Sequence, residues 1–370
     1  MQLTSRVDIN VGYSCNERCK FCYYIQTIKD REKEKDLPTE EVKKRIAYIR
    51  NKGVHTLEFT GGEPTIRNDL IELIAYAKSL GFKSISMISN GIRLAQPEYA
   101  KACVEAGVDD FLMSIHGHEP GVHDRVTEIP GSFDKVVQAT KNLTKFPIKV
   151  RANCVISGYN YRGAVETLAL YHSLGLRTAN FILFNPIVEA DWRSAPELNV
   201  AYSDAAPFIK KAIDEYKDKI PKITVRYIPL CLMQGYEQYV TNMPQIQYDP
   251  DEWDYLIRTG IREGKFIATA ALWMGMLLYP GKSRLWKKGW NTFKHEGIKY
   301  FLQIKNKAYG KECHHCAYKG VCDGVWRKYA DWKGFGELKA IEGPKVVDPT
   351  YFLKAHPIYK GKVENRSEAA

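Results

Sequence analysis

Cys15-Asn-Glu-Arg-Cys19-Lys-Phe-Cys22 places three thiols within eight residues, directly after an apolar, strand-like run. Thiolates are soft ligands suited to zinc, copper or iron–sulfur clusters, and three on one tight loop can converge on one metal centre. Three ligands leave a cluster one short, and an open coordination position is where chemistry happens. A structural zinc site closes with four ligands in paired spacing, and no His or Cys follows within about twenty residues to complete one. A disulfide framework suits neither the length of the chain nor its odd count of nine cysteines.

A second group, Cys313-His-His-Cys316-Ala-Tyr-Lys-Gly-Val-Cys322, lies near the other end. Zinc through Cys and His ligands fits this spacing, with His314 and His315 available. An iron–sulfur site fits as well, because Cys231 can supply a fourth thiolate. The two cysteines outside these patterns, Cys103 and Cys154, read as small buried side chains.

The elements that must position these groups alternate. Strands are expected at Arg6 to Val11, His55 to Phe59, Ser84 to Ile88, Asp110 to Ile115, Ile148 to Ile156 and Ala179 to Phe184. Helices are expected between them at Thr39 to Asn51, Asp69 to Leu80, Pro97 to Ala106, Gly131 to Phe146 and Tyr161 to Leu174. Gly53, Gly81 and Gly107 punctuate the ends of three of them. Six βα units in sequence imply a parallel sheet, and six rather than eight imply an α/β fold built as an open, partial (β/α)6 barrel. Catalytic groups in such folds collect at the carboxyl ends of the strands. Cys15 to Cys22 follows the first strand, Gly61-Gly62-Glu63-Pro64 the second and Ser89-Asn90-Gly91 the third. Ser114 and His116 lie near the end of the fourth, Arg151 and Asn153 on the fifth, and Asn185-Pro186 after the sixth.

The expected organisation is a barrel core over residues 1–186 and a connecting, capping region over 187–310. A cluster-binding region over 311–353 and a charged tail over 354–370 follow. The connecting region holds a helix candidate near Tyr202 to Tyr216 and a strand-like Thr224 to Pro229. Its apolar run of thirteen, Ile267 to Tyr279, is too short to span a bilayer and reads first as a buried helix. The adjoining Trp286-Lys-Lys-Gly-Trp290 keeps an interfacial membrane helix as the alternative. Between Lys282 and Lys311 nine Lys/Arg face one Glu, interleaved with aromatics. That pattern suits an anionic surface or a solvated basic face, and the net charge of +11 biases the whole chain the same way.

At 370 residues and 45% hydrophobic content the chain has ample material for a packed core. No stretch reaches the ~18 apolar residues of a membrane span, and no signal-peptide pattern opens the chain. The expected location is cytoplasmic, with peripheral membrane contact as a further option.

With CxxxCxxC after the first strand and Gly-Gly-Glu-Pro after the second, the sequence resembles the radical S-adenosylmethionine (radical SAM) enzyme superfamily. The resemblance implies that Cys15, Cys19 and Cys22 hold a [4Fe–4S] cluster whose fourth iron is chelated by S-adenosylmethionine. It implies Phe21 packing the loop against adenine, Gly62 and Glu63 holding the methionyl amino group, and Gly61 as a further cofactor-binding position. Ser114, Arg151 and Asn153 are expected at ribose and carboxylate contacts. The tail resembles a SPASM or Twitch extension, which implies one auxiliary cluster on Cys231, Cys313, Cys316 and Cys322, expected to be [4Fe–4S]. The Cys expected soon after Cys322 is absent, so a two-cluster SPASM domain is not implied. The implied reaction cleaves S-adenosylmethionine reductively and abstracts hydrogen from a small molecule or short peptide. An electron donor such as flavodoxin or ferredoxin is implied, and no nucleic-acid partner. The rival expectations are a lipid-linked or phosphorylated substrate at a membrane surface and a non-catalytic iron–sulfur scaffold.

Overall fold

The fold is taken from a computed structural model that describes residues 1, 4–22, 36–185, 196–254, 270, 273–274, 277–278 and 306–359. Pro186, the basic aromatic stretch through residue 305, most of the 267–279 run and the tail from residue 360 lie outside the described residues. The chain forms two compact units, residues 8–224 and residues 1–7 with 225–370.

The sheet has seven strands in sequential order: β1 (Arg6–Asn10), β2 (Thr56–Thr60), β3 (Ser84–Ser89), β4 (Asp110–Ser114), β5 (Lys149–Ile156), β6 (Thr178–Leu183) and β7 (Lys222–Arg226). Strands β2 to β6 pair in parallel, with Glu58 opposite Ser86, Ser86 opposite Asp110, and Ala152 opposite Ala179. The strand expected at Thr224 to Pro229 begins two residues earlier and joins the sheet, so the six expected strands become seven. Helices α1 (Thr39–Asn51), α2 (Leu70–Ser79), α3 (Pro97–Ala106), α4 (Pro120–Thr127), α5 (Ser132–Leu143), α6 (Ala164–Ser173) and α7 (Tyr202–Tyr216) connect the strands. Both α7 and most of β7 fall in the first compact unit, beyond residue 186.

Side-chain alternation explains how one sheet makes both a core and a chamber. Leu57, Phe59, Ile85, Met87, Phe111, Met113, Ala152, Cys154, Ala179 and Phe181 are buried. Between them, on the opposite face, stand Glu58, Ser86, Asp110, Arg151, Asn153 and Asn180. Parallel strands buried under helices on both faces read as continuous apolar runs, whereas a polar inner face indicates a lined interior. Arg151 Nη2 on β5 reaches Glu58 Oε1 on β2 at 3.0 Å, across two intervening strands. Strands spaced about 4.8 Å apart allow that reach only if the sheet curves, so the polar face is concave. The two solitary cysteines, Cys103 and Cys154, are both fully buried.

In the 267–279 run the described residues Trp273, Met274, Leu277 and Leu278 are helical and 49–65% exposed. The expectation of a buried helix is therefore corrected for these residues: their apolar side chains face outward. Among the described residues no helix is long and apolar enough to cross a membrane.

Candidate active site

The cysteine loop is held by a continuation of strand pairing beyond the strand ends. Val11 N–H donates to Thr60 O at 3.0 Å, Gly62 N–H to Gly12 O at 2.9 Å, and Glu63 N–H to Ser14 O at 2.8 Å. The Gly-Gly-Glu turn therefore lies directly beneath the residues that lead into Cys15. A Cβ at Gly62 would stand 2.1 Å from Ser14 O, and one at Gly61 2.3 Å from Gly12 O. Gly61 also has a φ of 139°, a conformation side chains disfavour. The glycines are thus required first by the close approach of the cysteine loop itself. A cleft of ≈ 160 Å³ opens beside this contact, lined by Gly12, Ser14, Asp36, Gly62, Glu63 and Arg67.

Glu63 organises the neighbouring strand ends. It is 3% exposed, and its Oε1 accepts from Thr65 N–H (3.0 Å), Thr65 Oγ1–H (2.6 Å) and Ser89 Oγ–H (2.8 Å). Its Oε2 accepts from Asn90 N–H at 2.8 Å, which leaves capacity on that oxygen. Burial raises the carboxyl pKa against the opposing pull of the Asn90, Thr65 and Ser89 bonds. An ammonium placed beside Oε2 would favour the ionised form and match the remaining acceptor. Asn90 connects this group to the cysteines, donating from Nδ2 to Asn16 Oδ1 at 2.8 Å while its Oδ1 accepts from Ile92 N–H. The Ser-Asn-Gly turn therefore does more than close a corner: it ties β3 to the cysteine motif.

Within the motif, Glu17 is a residue that spacing alone did not single out. It is buried, its N–H donates to Cys15 Sγ at 3.4 Å, and its Oε2 accepts from Cys19 Sγ at 3.2 Å. Phe21 stands edge-on to His116 at 4.6 Å between ring centroids, which anchors the loop to the end of β4. His116 is held in turn: its N–H donates to His123 Nδ1 at 3.0 Å and its Nδ1 accepts from Val155 N–H at 3.2 Å.

Ser114, Asn153 and Asn180 form one row on the concave face, as register partners across β4, β5 and β6. Arg151 lies one step deeper. Its guanidinium is 1% exposed and is held by Asp110 Oδ1 at 2.7 Å and Glu58 Oε1 at 3.0 Å. Glu58 also accepts from Ser86 Oγ–H at 2.9 Å. Arg151, expected at a ribose or carboxylate contact of a ligand, thus has its guanidinium bonded to two buried carboxylates.

In the other unit, Cys231, Cys313, Cys316 and Cys322 line one cleft of ≈ 330 Å³ together with Tyr309, Tyr318 and Lys319. Backbone N–H groups point at the sulfurs. Tyr318 and Ile341 donate to Cys316 Sγ, and Gly324 to Cys322 Sγ, each at 3.4 Å. The backbone of Lys339 bonds Cys231, that of Gly310 bonds Cys313, and that of Leu230 bonds Cys322. His314 and His315 are exposed and do not line the cleft. Among the described residues no three His, Cys, Asp or Glu side chains converge on a single point as one metal ion would require. Amide donors around thiolates are the second-shell feature that iron–sulfur clusters use.

Residues 9–171 match the family model described as the Radical SAM superfamily. Over these residues, fewer than half of the 370, the chain is similar to the radical SAM superfamily. Enzymes of that superfamily use a [4Fe–4S] cluster and S-adenosylmethionine. Among curated relatives, the probable GTP 3′,8-cyclase of Saccharolobus solfataricus is 28% identical over 181 residues, 48% of this chain and 56% of the relative. That of Sulfolobus acidocaldarius is 29% identical over 182 residues, with the same coverage. The match thus spans little more than half the length of these relatives. Among solved structures, native anSMEcpe with bound AdoMet and Cp18Cys peptide aligns with a TM-score of 0.53 at 16% identity, covering 99% of both chains. Methylornithine synthase (PylB) aligns with a TM-score of 0.50 at 17% identity, covering 72% of this chain and 82% of its own. At these identities the structural likeness shows the fold alone, an α/β partial barrel.

Proposed function

We propose that the chain is a radical SAM enzyme that abstracts hydrogen from a small-molecule or peptide substrate held on the concave face of the barrel, and that it carries one auxiliary iron–sulfur cluster. The observation that carries the first half is the hydrogen-bonded path from Cys15–Cys22 through Asn16, Asn90 and Glu63 to the Gly-Gly-Glu turn. Cys15, Cys19 and Cys22 hold the cluster on this reading. When bound, the cluster and S-adenosylmethionine supply a 5′-deoxyadenosyl radical. The chain's own residues bind and orient: Gly61 and Gly62 bring the turn against the cysteine loop, Glu63 offers Oε2 to the methionyl ammonium, Phe21 packs near adenine, and Ser114 faces the ribose. The polar chamber excludes bulk water by burial of its lining.

The auxiliary cluster rests on Cys231 lining the same cleft as Cys313, Cys316 and Cys322, a SPASM- or Twitch-like arrangement with four thiolates and their amide donors. Four protein ligands suit electron transfer, which favours an outcome that moves an electron to or from the product radical. An electron donor such as flavodoxin or ferredoxin completes this reading, and nine free thiols suit a reducing cytoplasm. A peptide substrate is supported by the peptide bound in anSMEcpe, and a nucleotide by the name of the cyclase relatives.

The test is anaerobic reconstitution of wild type, a Cys15/Cys19/Cys22 triple Ala variant and a Cys313/Cys316/Cys322 triple Ala variant. About eight irons per chain are expected in wild type and about four in each variant. 5′-Deoxyadenosine should form under reducing conditions in wild type and be lost in the first variant. A full iron complement in either variant sinks the two-cluster reading, and wild type without 5′-deoxyadenosine leaves a non-catalytic scaffold.

A second reading, a lipid-linked or phosphorylated substrate at an anionic membrane, is favoured by the outward-facing Trp273, Met274, Leu277 and Leu278. Flotation with anionic liposomes at low salt should then carry the protein upward, and a protein that stays at the bottom dismisses it.

A further inference from the structure

The polar row on the concave face contains two carboxamides that are each left with one open end. Asn180 on β6 is 2% exposed. Its Oδ1 accepts from Thr224 Oγ1–H at 2.7 Å, and its Nδ2 has no partner. Asn153, its register partner on β5, has a buried Oδ1 without a partner. A strand position flanked by buried Ala179 and Phe181 would ordinarily carry a β-branched apolar residue. A buried amide with an unsatisfied N–H costs stability that valine there would avoid. The cost is incurred twice, on neighbouring strands, at one level and on the chamber face. One open group is a donor and the other an acceptor.

We infer that Asn180 and Asn153 together read an amide edge of the substrate: a C=O that accepts from Asn180 Nδ2 beside an N–H that donates to Asn153 Oδ1. Groups presenting both, side by side, include a primary carboxamide and the lactam edge of a purine, and these two serve as the probes. Thr224 is a positioning residue, because its hydroxyl occupies Asn180 Oδ1 and so turns Nδ2 toward the chamber. This assigns Asn153 to substrate rather than to S-adenosylmethionine. Sites built to hydrogen-bond a substrate group reject analogues lacking it far more strongly than apolar pockets reject a missing methylene. The inference rests on the reading above only in taking the concave face as the substrate chamber.

The test is equilibrium binding to the reconstituted full-length protein with S-adenosylmethionine present and without reductant, so that no turnover occurs. One arm compares GTP with 2-aminopurine riboside triphosphate, which lacks the lactam. The other compares the tripeptide Gly-Gln-Gly with Gly-Met-Gly. In one arm the amide-bearing probe should bind at least about tenfold more tightly than its counterpart. That preference should vanish in Asn180→Leu and shrink in Thr224→Val, with near-UV circular dichroism reporting that each variant is folded. A preference in the GTP arm assigns a purine, and one in the peptide arm a carboxamide. No preference in either arm overturns the inference, as does a preference that survives in both variants. Because binding is measured without chemistry, failure to make 5′-deoxyadenosine would fault the radical reading and leave this result to stand separately.

Discussion

Gly62→Ala is expected to empty the N-terminal cysteine loop of iron while leaving the C-terminal set loaded, a fall of about four irons per chain. The added Cβ would lie 2.1 Å from Ser14 O, 2.5 Å from Tyr13 O and 2.6 Å from Tyr13 C. Carbon contacts are repulsive well outside such distances, with the optimum near 3.5–4.0 Å. All three neighbours are backbone atoms, so no side chain can swing aside. The loop must lift, and lifting breaks the Gly62 to Gly12 and Glu63 to Ser14 bonds that set its height. Gly121→Ala is the matched control, since its Cβ would meet only Glu119 Oε1 at 3.9 Å. Iron and sulfide counts on anaerobically reconstituted protein, with a near-UV spectrum to verify folding, decide the matter. Retention of the wild-type iron count in Gly62→Ala would show that the loop tolerates displacement and that the glycine's role lies elsewhere.

That role illustrates what was legible in the sequence. The motif marked Gly62, but the reason visible beforehand was approach to a ligand; the approach of Tyr13 and Ser14 needs a register that only the folded β1 and β2 supply. Regular elements were easier. Thr39–Asn51, Pro97–Ala106 and Tyr202–Tyr216 are helices between the limits expected from periodicity, because each carries an apolar stripe and a clear start or stop. Helix α4 was missed: eight residues opening on Pro-Gly leave too short a stripe, and its stabilising group, Asp124, acts through bonds to Gly131, Ser132 and Phe133 beyond the helix. The outward face of Trp273, Met274, Leu277 and Leu278 was illegible for the opposite reason. Apolar residues signal burial, and composition cannot say which are left uncovered.

The candidate site divides along the same line. Cysteine spacing was informative because ligand chemistry is local in sequence, and Cys231 could be matched to a distant cleft by counting thiolates alone. Glu17, Asn16 and Ser89 gained meaning only from their partners. Asn180 had no sequence signal at all: one Asn in an apolar strand is unremarkable until its neighbour on β5 is known to be Asn153.

Arg151 is the sharpest instance, and replacing it by methionine is expected to destabilise the barrel unit by about 3–5 kcal/mol. The guanidinium bonds Asp110 on β4 and Glu58 on β2, the second 93 residues away in the chain. Exposure of both acid side chains is a few per cent or less, so neither can turn to water once the cation is gone. The cost is therefore that of taking a buried counter-charge from two carboxylates as well as two hydrogen bonds. Adding Glu58→Gln and Asp110→Asn to Arg151→Met should recover part of the loss, because neutral amides need no counter-charge. Arg151→Lys should fall between, since one ammonium cannot span the two acids as a planar fork does. Urea denaturation followed by far-ultraviolet circular dichroism separates these variants. If Arg151→Met instead unfolds within 1 kcal/mol of wild type, roughly the worth of one ordinary hydrogen bond, while S-adenosylmethionine binding weakens, the guanidinium serves the ligand and the buried triad is dispensable. The geometry favours the first outcome, because a cation already paired twice at the base of the chamber has little left to offer a molecule at its mouth.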